Sequence, residues 1–232
     1  MSALIFDMDG TLWDSSEGIA ASWTEVLSRH RDLLQENSRC IITREDVQGV
    51  MGMTMTKIAK TLYPEVPENN QALLLKYCCD YENEYLLEHG GILYPQLEKT
   101  LQELKREGHA LYIVSNCQKG YIETFLEHYG FGQYFDDIEC FGNNGLGKAE
   151  NIRNLAERNH LEHYYYVGDI QADYDATMAA GGAFIHAAYG FGTIREKVPE
   201  LKEFSKLPEL LAQLTGECSC EGTDAVRSTG GC

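Results

Sequence analysis

Short, uninterrupted apolar runs recur along the chain and predict buried strands. Since these runs do not alternate with polar residues, both faces of each strand should be covered, as in a parallel sheet between helices. The runs are residues 3–6, 110–114, 138–141, 164–167 and 183–185.

Apolar residues at helical spacing fill the segments between the later strands. Leu97, Leu101 and Leu104 form one such face, which ends before Gly108, and a second apolar face ends before Gly130. Glycine often follows the last turn of a helix, because it adopts the left-handed conformation there without a steric penalty. The alternation of strand and helix predicts an α/β fold with a doubly wound parallel sheet.

Residues 15–89 interrupt this alternation, because they contain helical patterns but no convincing strand. Trp23 belongs to the first pattern, and Thr43 is the predicted N-cap of another. We therefore predict an α/β core of residues 1–14 and 90–214 with an inserted α-helical cap of residues 15–89. An insertion that leaves from the carboxyl end of a strand would lie over the ligand crevice at that edge.

The last helix of this insertion and the hinge after it are predicted from residue type and spacing. A helix is predicted by apolar and aromatic residues at helical spacing, which are Leu73, Leu74, Tyr77, Tyr81 and Tyr85. Gly90 and Gly91 follow it and are the residues expected of a hinge.

At the far end of the chain, residues 215–232 are small, polar and glycine-rich and predict a disordered tail, which contains Cys218, Cys220 and Cys232.

The composition is that of a folded soluble protein with an acidic surface. The chain has 232 residues, of which 44% are hydrophobic, and its 36 acidic and 19 basic residues give a formal net charge of −17. This charge argues against nucleic acid or anionic membranes as partners, since both require a basic patch. No apolar run approaches the roughly 20 residues that cross a bilayer, and no leader is apparent, so we expect a cytoplasmic monomer or weak dimer with reduced cysteines.

Asp7 and Asp9 come directly after the first strand, in the sequence Asp-Met-Asp-Gly-Thr. Two carboxylates this close repel each other unless a proton or a cation relieves the repulsion, and Mg²⁺ prefers such oxygen ligands. Gly10 allows the tight backbone that brings a phosphate against the chain. An acidic turn at the end of a strand would have the same composition, and it remains the alternative interpretation of this segment alone.

Polar residues also follow two other predicted strands. Ser115 and Asn116 offer a hydroxyl and an amide to phosphate oxygens, although a capping or turn role is equally compatible with their type. Asp169 and Asp173 add two carboxylates at the same edge, where metal binding would relieve the cost of burying so many acids. Lys148, in a glycine-rich loop at a helix start, supplies the positive charge that a phosphate site in this acidic protein requires.

Together these segments resemble the motifs of the haloacid-dehalogenase superfamily, in the helical-cap branch that includes phosphoglycolate phosphatases and β-phosphoglucomutase. The matching motifs are Asp-x-Asp-Gly-Thr at 7–11, Ser-Asn at 115–116, Lys148, and Gly-Asp-x-x-x-Asp at 168–173. They occur in the family's order, and the resemblance covers residues 1 to about 214. It implies a Mg²⁺-dependent phosphatase that acts on a small phosphorylated metabolite.

The resemblance also implies roles for the first and last motifs. Asp7 would be the nucleophile that forms an aspartyl-phosphate and would also bind Mg²⁺. Asp9 would act as general acid and base through its side chain and would bind Mg²⁺ through its backbone carbonyl. Asp169 would be the second carboxylate ligand.

The remaining matching residues would bind phosphate or support the site. Ser115, Asn116 and Lys148 would hold the substrate phosphate in this interpretation. Thr11 and Asp173 would support the site, Asp173 through Lys148 or a bound water.

The same residues argue against other activities of related enzymes. The dehalogenase branch lacks the second aspartate, so Asp9 counts against it, and Lys57 and Lys60 look like members of an ordinary amphipathic helix rather than the Schiff-base lysine of a phosphonate-cleaving enzyme. A sugar phosphomutase shares the aspartate chemistry, but the arginine associated with its cap loop has no clear counterpart near residues 49–54. A non-catalytic binding relic would usually have lost one of the principal site residues, and all are present.

The substrate is not determined by these motifs: phosphoglycolate, a sugar phosphate and a nucleoside monophosphate are all compatible with them. Gln96 and Trp13 depart from the family pattern, at the hinge and beside the first motif. Candidate pocket residues in the predicted cap, which could equally be core, are Trp23, Met51, Met53, Met55 and Thr56.

Overall fold

The computed structural model describes residues 2–216, in which strands and helices alternate around a helical insertion. The strands are β1 (Ala3–Phe6), β2 (Trp13–Asp14), β3 (Ile92–Leu93), β4 (Ala110–Ser115), β5 (Asp137–Cys140), β6 (Tyr164–Gly168), β7 (Ala183–Ala187) and β8 (Glu200–Leu201). The α-helices are α1 (Ser16–Arg29), α2 (Arg44–Gln48), α3 (Met55–Leu62), α4 (Glu68–His89), α5 (Leu97–Arg106), α6 (Tyr121–Tyr129), α7 (Phe141–Asn144), α8 (Lys148–Arg158), α9 (Gln171–Ala180) and α10 (Leu207–Thr215). All five predicted strands form, each within two residues of its predicted ends.

Six strands form one sheet in the order β5-β4-β1-β6-β7-β8, and every neighbouring pair is parallel. β1 lies between β4 and β6, so the chain builds one half of the sheet and then returns past β1 to build the other. This reversal is the topological switch point of a doubly wound sheet, where ligands bind beyond the carboxyl ends of the strands. The predicted fold class is confirmed.

Helices cover both faces of the sheet. Leu4 and Phe6 of β1 belong to a large apolar cluster with α5, α6 and α10 on one face. Ile5 points to the other face, where it packs in a cluster with Ile152 and Leu155 of α8. Because both faces of β1 are buried, every one of its residues is apolar, and the strand has no alternating pattern.

The inserted segment contains helices only. Between β2 and β3 the chain forms α1 to α4 and a short 3₁₀ turn, and none of residues 15–89 lies in a strand. β2 pairs antiparallel with β3, with Trp13 opposite Leu93, so the two connections to the insertion run side by side. Thr43 caps α2 as predicted, since its hydroxyl accepts a hydrogen bond from the backbone of Asp46. We call residues 15–89 the cap, and its domain boundaries stay a prediction.

Helix α4 buries a side that coincides only in part with its predicted apolar face, since Leu74 belongs to both. Of the other residues of that face, Leu73 is exposed and the tyrosines are half-buried. The buried positions are Gln71, Leu74, Cys78, Glu82 and Leu86. Two of these five are polar, and hydrogen bonds to neighbouring segments satisfy both, so apolar periodicity could not identify this side of the helix.

Two local predictions change in the structure. The third predicted strand, β5, ends at Cys140, and Phe141 begins the short helix α7, which extends into the predicted glycine-rich loop. Gly145 closes this helical turn in the left-handed conformation. Gln96 stands before α5 with a φ of 61°, the region that favours glycine, at the position where the family pattern has one. Trp13 is fully buried against Tyr121 and Phe125, so it is a packing residue.

The predicted tail falls almost wholly outside the described residues. Thr215 is still the last residue of α10, and residues 217–232, with their three cysteines, lie beyond the described part of the chain. Among the helices of residues 2–216, none combines the length and the apolar character that crossing a bilayer demands. The five cysteines within this range are free thiols.

Candidate active site

Three predicted site residues lie at the carboxyl edge of the sheet, on the three central strands. Asp7 directly follows β1, Ser115 ends β4, and Asp169 directly follows β6. Phe6 of β1 is in register with Ile113 of β4 and Val167 of β6, so Asp7 leaves its strand beside the ends of β4 and β6, where Ser115 and Asp169 lie two positions further along. The fold therefore places them at the switch point, where α/β proteins of this topology bind ligands.

Lys148 begins α8 and reaches into this edge as a buried cation. Its Nζ atom lies 2.9 Å from Oδ1 of Asp7 and 2.5 Å from Oδ1 of Asp173. Burial alone would lower the pKa of Lys148, but the carboxylates of Asp173 and Asp7 outweigh burial and hold this pKa well above its usual value. The ammonium group therefore stays charged, and it explains why a lysine is tolerated at the start of a helix.

Asp173 is a structural carboxylate with both oxygens engaged. Oδ1 accepts from Lys148, and Oδ2 accepts from the backbone N–H groups of Asp169 and Ile170 at 3.2 and 3.3 Å. These contacts cap the start of α9 and orient Lys148 toward Asp7. The supporting role of Asp173 stays a prediction.

A tight backbone cradle holds Asp169. Its Oδ2 atom accepts a hydrogen bond of 2.7 Å from the backbone N–H of Phe191, in the loop after β7. A Cβ atom at Gly10, where φ is +81°, would lie 2.1 Å from this Oδ2 atom, and one at Gly190 would lie 2.3 Å from Cβ of Asp169. Glycine is therefore required at both positions for the carboxylate to take its place.

The donor set at this edge fits a hard divalent cation. Ligand atoms of Asp7, Asp169 and Asp173 lie within 4.8 Å of one another, and all three side chains are buried. Burial, together with the neighbouring carboxylates, raises the pKa of Asp169, and burial raises that of Asp7 against the opposing effect of Lys148. Of the described residues, none hydrogen-bonds Oδ2 of Asp7 or Oδ1 of Asp169, so each keeps an oxygen for a ligand. Oxygen ligands of this kind suit Mg²⁺.

Asp9 lies beside this cluster in a different environment. Its Oδ1 atom accepts hydrogen bonds from the Ser15 hydroxyl at 2.5 Å and from the Tyr121 hydroxyl at 2.7 Å. Burial raises the pKa of Asp9 to about 6, although the two hydroxyl groups oppose this shift. A carboxyl group that is held by one oxygen and titrates near neutrality is suited to exchange protons.

The other predicted phosphate-binding and supporting residues surround the same edge. Ser115 is buried and lines the cavity next to Asp7. Asn116 donates from its side-chain amide to the backbone carbonyl of Gly52 at 2.8 Å, so this amide joins the core to the cap. Thr11 is fully buried, and its hydroxyl oxygen has no hydrogen-bond partner among the described residues. Their roles in binding phosphate stay predictions.

A cavity between the cap and the sheet edge contains Asp7 and Asp9 at its floor. Its empty space is about 490 Å³ when the open mouth is included, and about 50 Å³ of it can hold the centres of water molecules, so the enclosed part is narrow. Of the candidate pocket residues, Trp23, Met51, Met53 and Met55 line this cavity, whereas Thr56 does not. The remaining cap residues of the lining are mostly apolar, with one acidic exception, and are Ile19, Val47, Val50, Gly52, Ile58 and Glu82.

Several residues that shape this site belong to none of the predicted motifs. Tyr121 and Ser15 hydrogen-bond each other as well as Asp9, and Glu82 and Gln118 hydrogen-bond across the boundary between cap and core. Tyr121 is 112 positions from Asp9 in the chain, and Gln118 is 36 from Glu82. A single sequence carries no signal for such long-range pairs. The one local clue is that α6, which begins at Tyr121, follows soon after the strand that ends at Ser115.

Comparison with known proteins agrees with this geometry. Residues 4–187 match the family model described as haloacid dehalogenase-like hydrolase. A phosphoglycolate phosphatase of Salmonella typhimurium strain LT2 is 26% identical over 211 residues, which cover 80% of this chain and 81% of that protein.

Solved structures share the fold. A putative haloacid dehalogenase-like hydrolase from Bacteroides fragilis is similar with a TM-score of 0.75 and 24% identity, covering 89% of this chain and 99% of that one. A predicted phosphoglycolate phosphatase from Haemophilus somnus also has a TM-score of 0.75, with 21% identity over 91% of this chain and 98% of the other. The family match spans most of the chain and includes Asp7, Ser115, Lys148 and Asp169. The protein therefore belongs to the haloacid dehalogenase-like hydrolases, and the prediction of a hydrolase of this family is confirmed.

Proposed function

We propose that this protein is a Mg²⁺-dependent phosphatase that hydrolyses a small phosphomonoester through an aspartyl-phosphate on Asp7. One observation carries the proposal: Lys148 bridges Asp7 and Asp173 next to Asp169, at the carboxyl edge of the sheet and below a capped cavity. The relative from Salmonella typhimurium is named a phosphoglycolate phosphatase, which supports the same reaction class.

Asp7 is the proposed nucleophile. A carboxylate and a phosphomonoester dianion repel each other, so attack requires positive charge at the point of contact. Lys148 provides part of that charge, since its Nζ atom is 2.9 Å from Oδ1 of Asp7 and leaves Oδ2 free to attack phosphorus. The covalent intermediate divides one difficult displacement into two easier ones.

Asp7 and Asp169, together with the backbone carbonyl of Asp9, are the residues that would hold Mg²⁺. When bound, Mg²⁺ supplies charge that offsets the clustered carboxylates and stabilises the phosphoryl oxygens in the transition state. The orientation of Asp169 by Phe191 and the glycine cradle keeps its free oxygen directed away from the backbone donors.

Asp9 is the proposed general acid and base. The Ser15 and Tyr121 hydroxyl groups hold Oδ1, and Oδ2 has no hydrogen bond to the described residues, so this oxygen can face the leaving group. A pKa near 6 allows the group to give a proton to the leaving alkoxide and then to take one from the water that attacks the acyl phosphate.

Hydrolysis of p-nitrophenyl phosphate tests the proposal. Purified protein should release p-nitrophenol with Mg²⁺ and stop when EDTA is added, and Asp7→Asn should be inactive while keeping its circular dichroism spectrum. Rapid acid quench followed by mass spectrometry should find one phosphoryl group on the peptide that contains Asp7. Turnover by Asp7→Asn at the wild-type rate, or activity that EDTA does not affect, would exclude the mechanism.

A sugar phosphomutase is not favoured by the cavity. A mutase must hold a second phosphate group at the cap side of a bisphosphate, which requires a cationic contact. Among the described residues, the cavity lining contains no lysine, arginine or histidine. We therefore retain hydrolysis as the proposed reaction.

A further inference from the structure

A buried carboxyl group, Glu82, lies in the cap side of the cavity above Asp9. Glu82 belongs to α4, is only 2% exposed, and lines the same cavity as Asp7 and Asp9. Its Oε2 atom accepts a hydrogen bond from the indole N–H of Trp23 at 2.5 Å, and Oε1 accepts from the side-chain amide of Gln118 at 2.8 Å. Two neutral donors therefore fix its position, with one bond to each oxygen.

Glu82 has no cationic partner in the described part of the chain. Of the ion pairs within residues 2–216, none involves Glu82, and the cavity lining has no basic side chain. Buried carboxylates are normally paired with a cation or saturated by donors. Each oxygen of Glu82 can still accept another hydrogen bond, so the group is equipped to receive a donor from a molecule in the cavity.

The surfaces around Glu82 limit what that molecule can be. The other cap residues of the lining are an indole and aliphatic or thioether side chains, which are Ile19, Trp23, Val47, Val50, Met51, Met53, Met55 and Ile58. An anionic group placed here would lose its hydration without gaining a cation, and it would lie above the aspartates at the cavity floor. A neutral or cationic group with an apolar body avoids both costs.

We propose that Glu82 is a specificity-determining residue, which selects phosphomonoesters whose leaving group carries no anion and presents a hydrogen-bond donor to the Glu82 carboxyl group. This inference rests on the phosphatase activity proposed above. It separates this chain from the relatives named phosphoglycolate phosphatases, since the leaving group of phosphoglycolate bears a carboxylate. A hydroxyl and an ammonium group share the required chemistry, and an ammonium group would also be attracted by the face of Trp23.

Matched esters test the inference directly. The series comprises 2-phosphoglycolate, 2-hydroxyethyl phosphate and 2-aminoethyl phosphate, which differ only in a terminal carboxylate, hydroxyl or ammonium group, together with the corresponding four-carbon esters. At the chain length that is hydrolysed faster, kcat/KM for the carboxylate ester should be at least about tenfold below that of the better of the other two. Comparison of the hydroxyl and ammonium esters shows which donor Glu82 prefers.

The variant Glu82→Gln keeps the shape of the side chain and replaces one of its two oxygens with an amide nitrogen, which donates and does not accept. It should lower kcat/KM for the preferred ester roughly 10- to 100-fold and leave the carboxylate ester unchanged or improved. Glu84→Gln, at an exposed position two residues along α4, is the matched control and should change none of the three. A purely structural role of Glu82 would instead lower all three values by the same factor.

The outcomes separate this inference from the proposed function. Hydrolysis of p-nitrophenyl phosphate with a preference for the carboxylate ester would refute the role of Glu82 and leave the phosphatase intact. An equal loss for all esters in Glu82→Gln would do the same. Absence of hydrolysis of every ester in the presence of Mg²⁺ would overturn both. If Glu82→Gln does not fold, the order of the three esters with the wild-type protein still decides, because that order needs no variant.

Discussion

At the scale of single residues, the two carboxyl groups of the Asp-Met-Asp segment have different surroundings and therefore different chemistry. Asp7 touches Lys148 and shares its environment with Asp173 and Asp169. Asp9 touches only neutral hydroxyl groups through Oδ1, and its pKa is raised to about 6 by burial. A carboxylate in contact with a cation suits a nucleophile, and a carboxyl group held by neutral donors suits an acid/base.

Replacement of Asp9 by asparagine should therefore reduce turnover more than substrate binding. We expect Asp9→Asn to lower kcat by on the order of 10²–10⁴-fold with little change in KM, because a lost proton transfer affects the transition state selectively. The loss should be greater for 2-hydroxyethyl phosphate than for p-nitrophenyl phosphate, whose leaving group needs no proton. Asp175→Asn, an exposed change on α9, is the control in steady-state assays. Equal loss for both esters would contradict the role as acid.

The burial of Glu82 should make the stability of the protein depend on pH. Burial raises its pKa from an ordinary 4.5 to about 8, although hydrogen bonds from Gln118 and Trp23 oppose the shift. Since the folded state binds the proton more tightly, this contribution to stability is complete below pH 4.5 and is lost as the pH rises through 8.

The variant Glu82→Gln should lose this pH dependence. Urea denaturation gives the free energy of unfolding of both proteins at pH 6 and at pH 9. The value for Glu82→Gln minus that for the wild type should be roughly 1–3 kcal/mol larger at pH 9 than at pH 6. Glu84→Gln should follow the wild type. A constant difference between Glu82→Gln and wild type across this range would show that Glu82 does not titrate in the folded protein.

At the scale of elements, the loop after β7 shapes the site from outside the conspicuous motifs. Its backbone at Phe191 donates to Asp169, and Gly190 packs directly against the Asp169 side chain. A Cβ atom at Gly190 would also lie 2.4 Å from the carbonyl oxygen of Gly10, so two strand-end loops meet there through backbone atoms. Neither loop can therefore accept an added side-chain carbon at this contact without a shift of Asp169 or of the Gly10 backbone.

Substitution of Gly190 by alanine should displace Asp169. Overpacking at such a contact costs about 1–3 kcal/mol, and a shift of the metal-binding carboxylate should reduce kcat/KM by about 10²-fold. Gly132→Ala is the matched control, because a Cβ atom there meets no atom within 4 Å. Chemical denaturation and p-nitrophenyl phosphate assays measure both effects, and normal activity in Gly190→Ala would show that the loop tolerates the extra carbon.

At the scale of the whole molecule, an acidic protein must bind an acidic substrate. The net charge of −17 opposes the approach of a phosphomonoester, and Lys148 is already paired with two carboxylates. A divalent cation at Asp7 and Asp169 would turn this edge into a site that attracts phosphate. The stability of the whole fold should then depend on that cation, since it binds the folded chain and not the unfolded one.

Addition of Mg²⁺ should stabilise the wild-type protein by about 2.7 kcal/mol when its concentration is 100 times the dissociation constant. Asp169→Asn should lose this stabilisation, because it removes one proposed ligand. Without Mg²⁺, Asp169→Asn should be at least as stable as the wild type near neutral pH, since burial and Asp173 raise the pKa of Asp169 and disfavour its charged form. Differential scanning calorimetry measures both, with choline chloride at equal ionic strength as the control; equal stabilisation of variant and wild type would exclude Asp169 as a ligand.

Within these scales, local information in the chain was enough for the regular elements and the family. The central strands are buried on both faces, so they appear as continuous apolar runs, and the helices around them end at glycines such as Gly108 and Gly130. The strands β2, β3 and β8 have only two residues each, which is too short for any periodicity. The sequence predicts a loop where α7 lies, because the four residues of this helix are polar or glycine apart from Phe141.

Local sequence pattern predicts which polar groups stand at the ends of the elements: acids after β1 and β6, a hydroxyl at the end of β4, and a lysine at the start of α8. Those positions follow from local pattern and motif, because each motif is contiguous with the element that carries it. The tertiary structure decided which groups meet across long separations, namely Tyr121 with Asp9 and Glu82 with Gln118. It also decided that α4 buries Glu82 toward the cavity, since burial of a carboxyl group depends on donors from other segments, and the hydrophobic pattern of the chain carries no information about them.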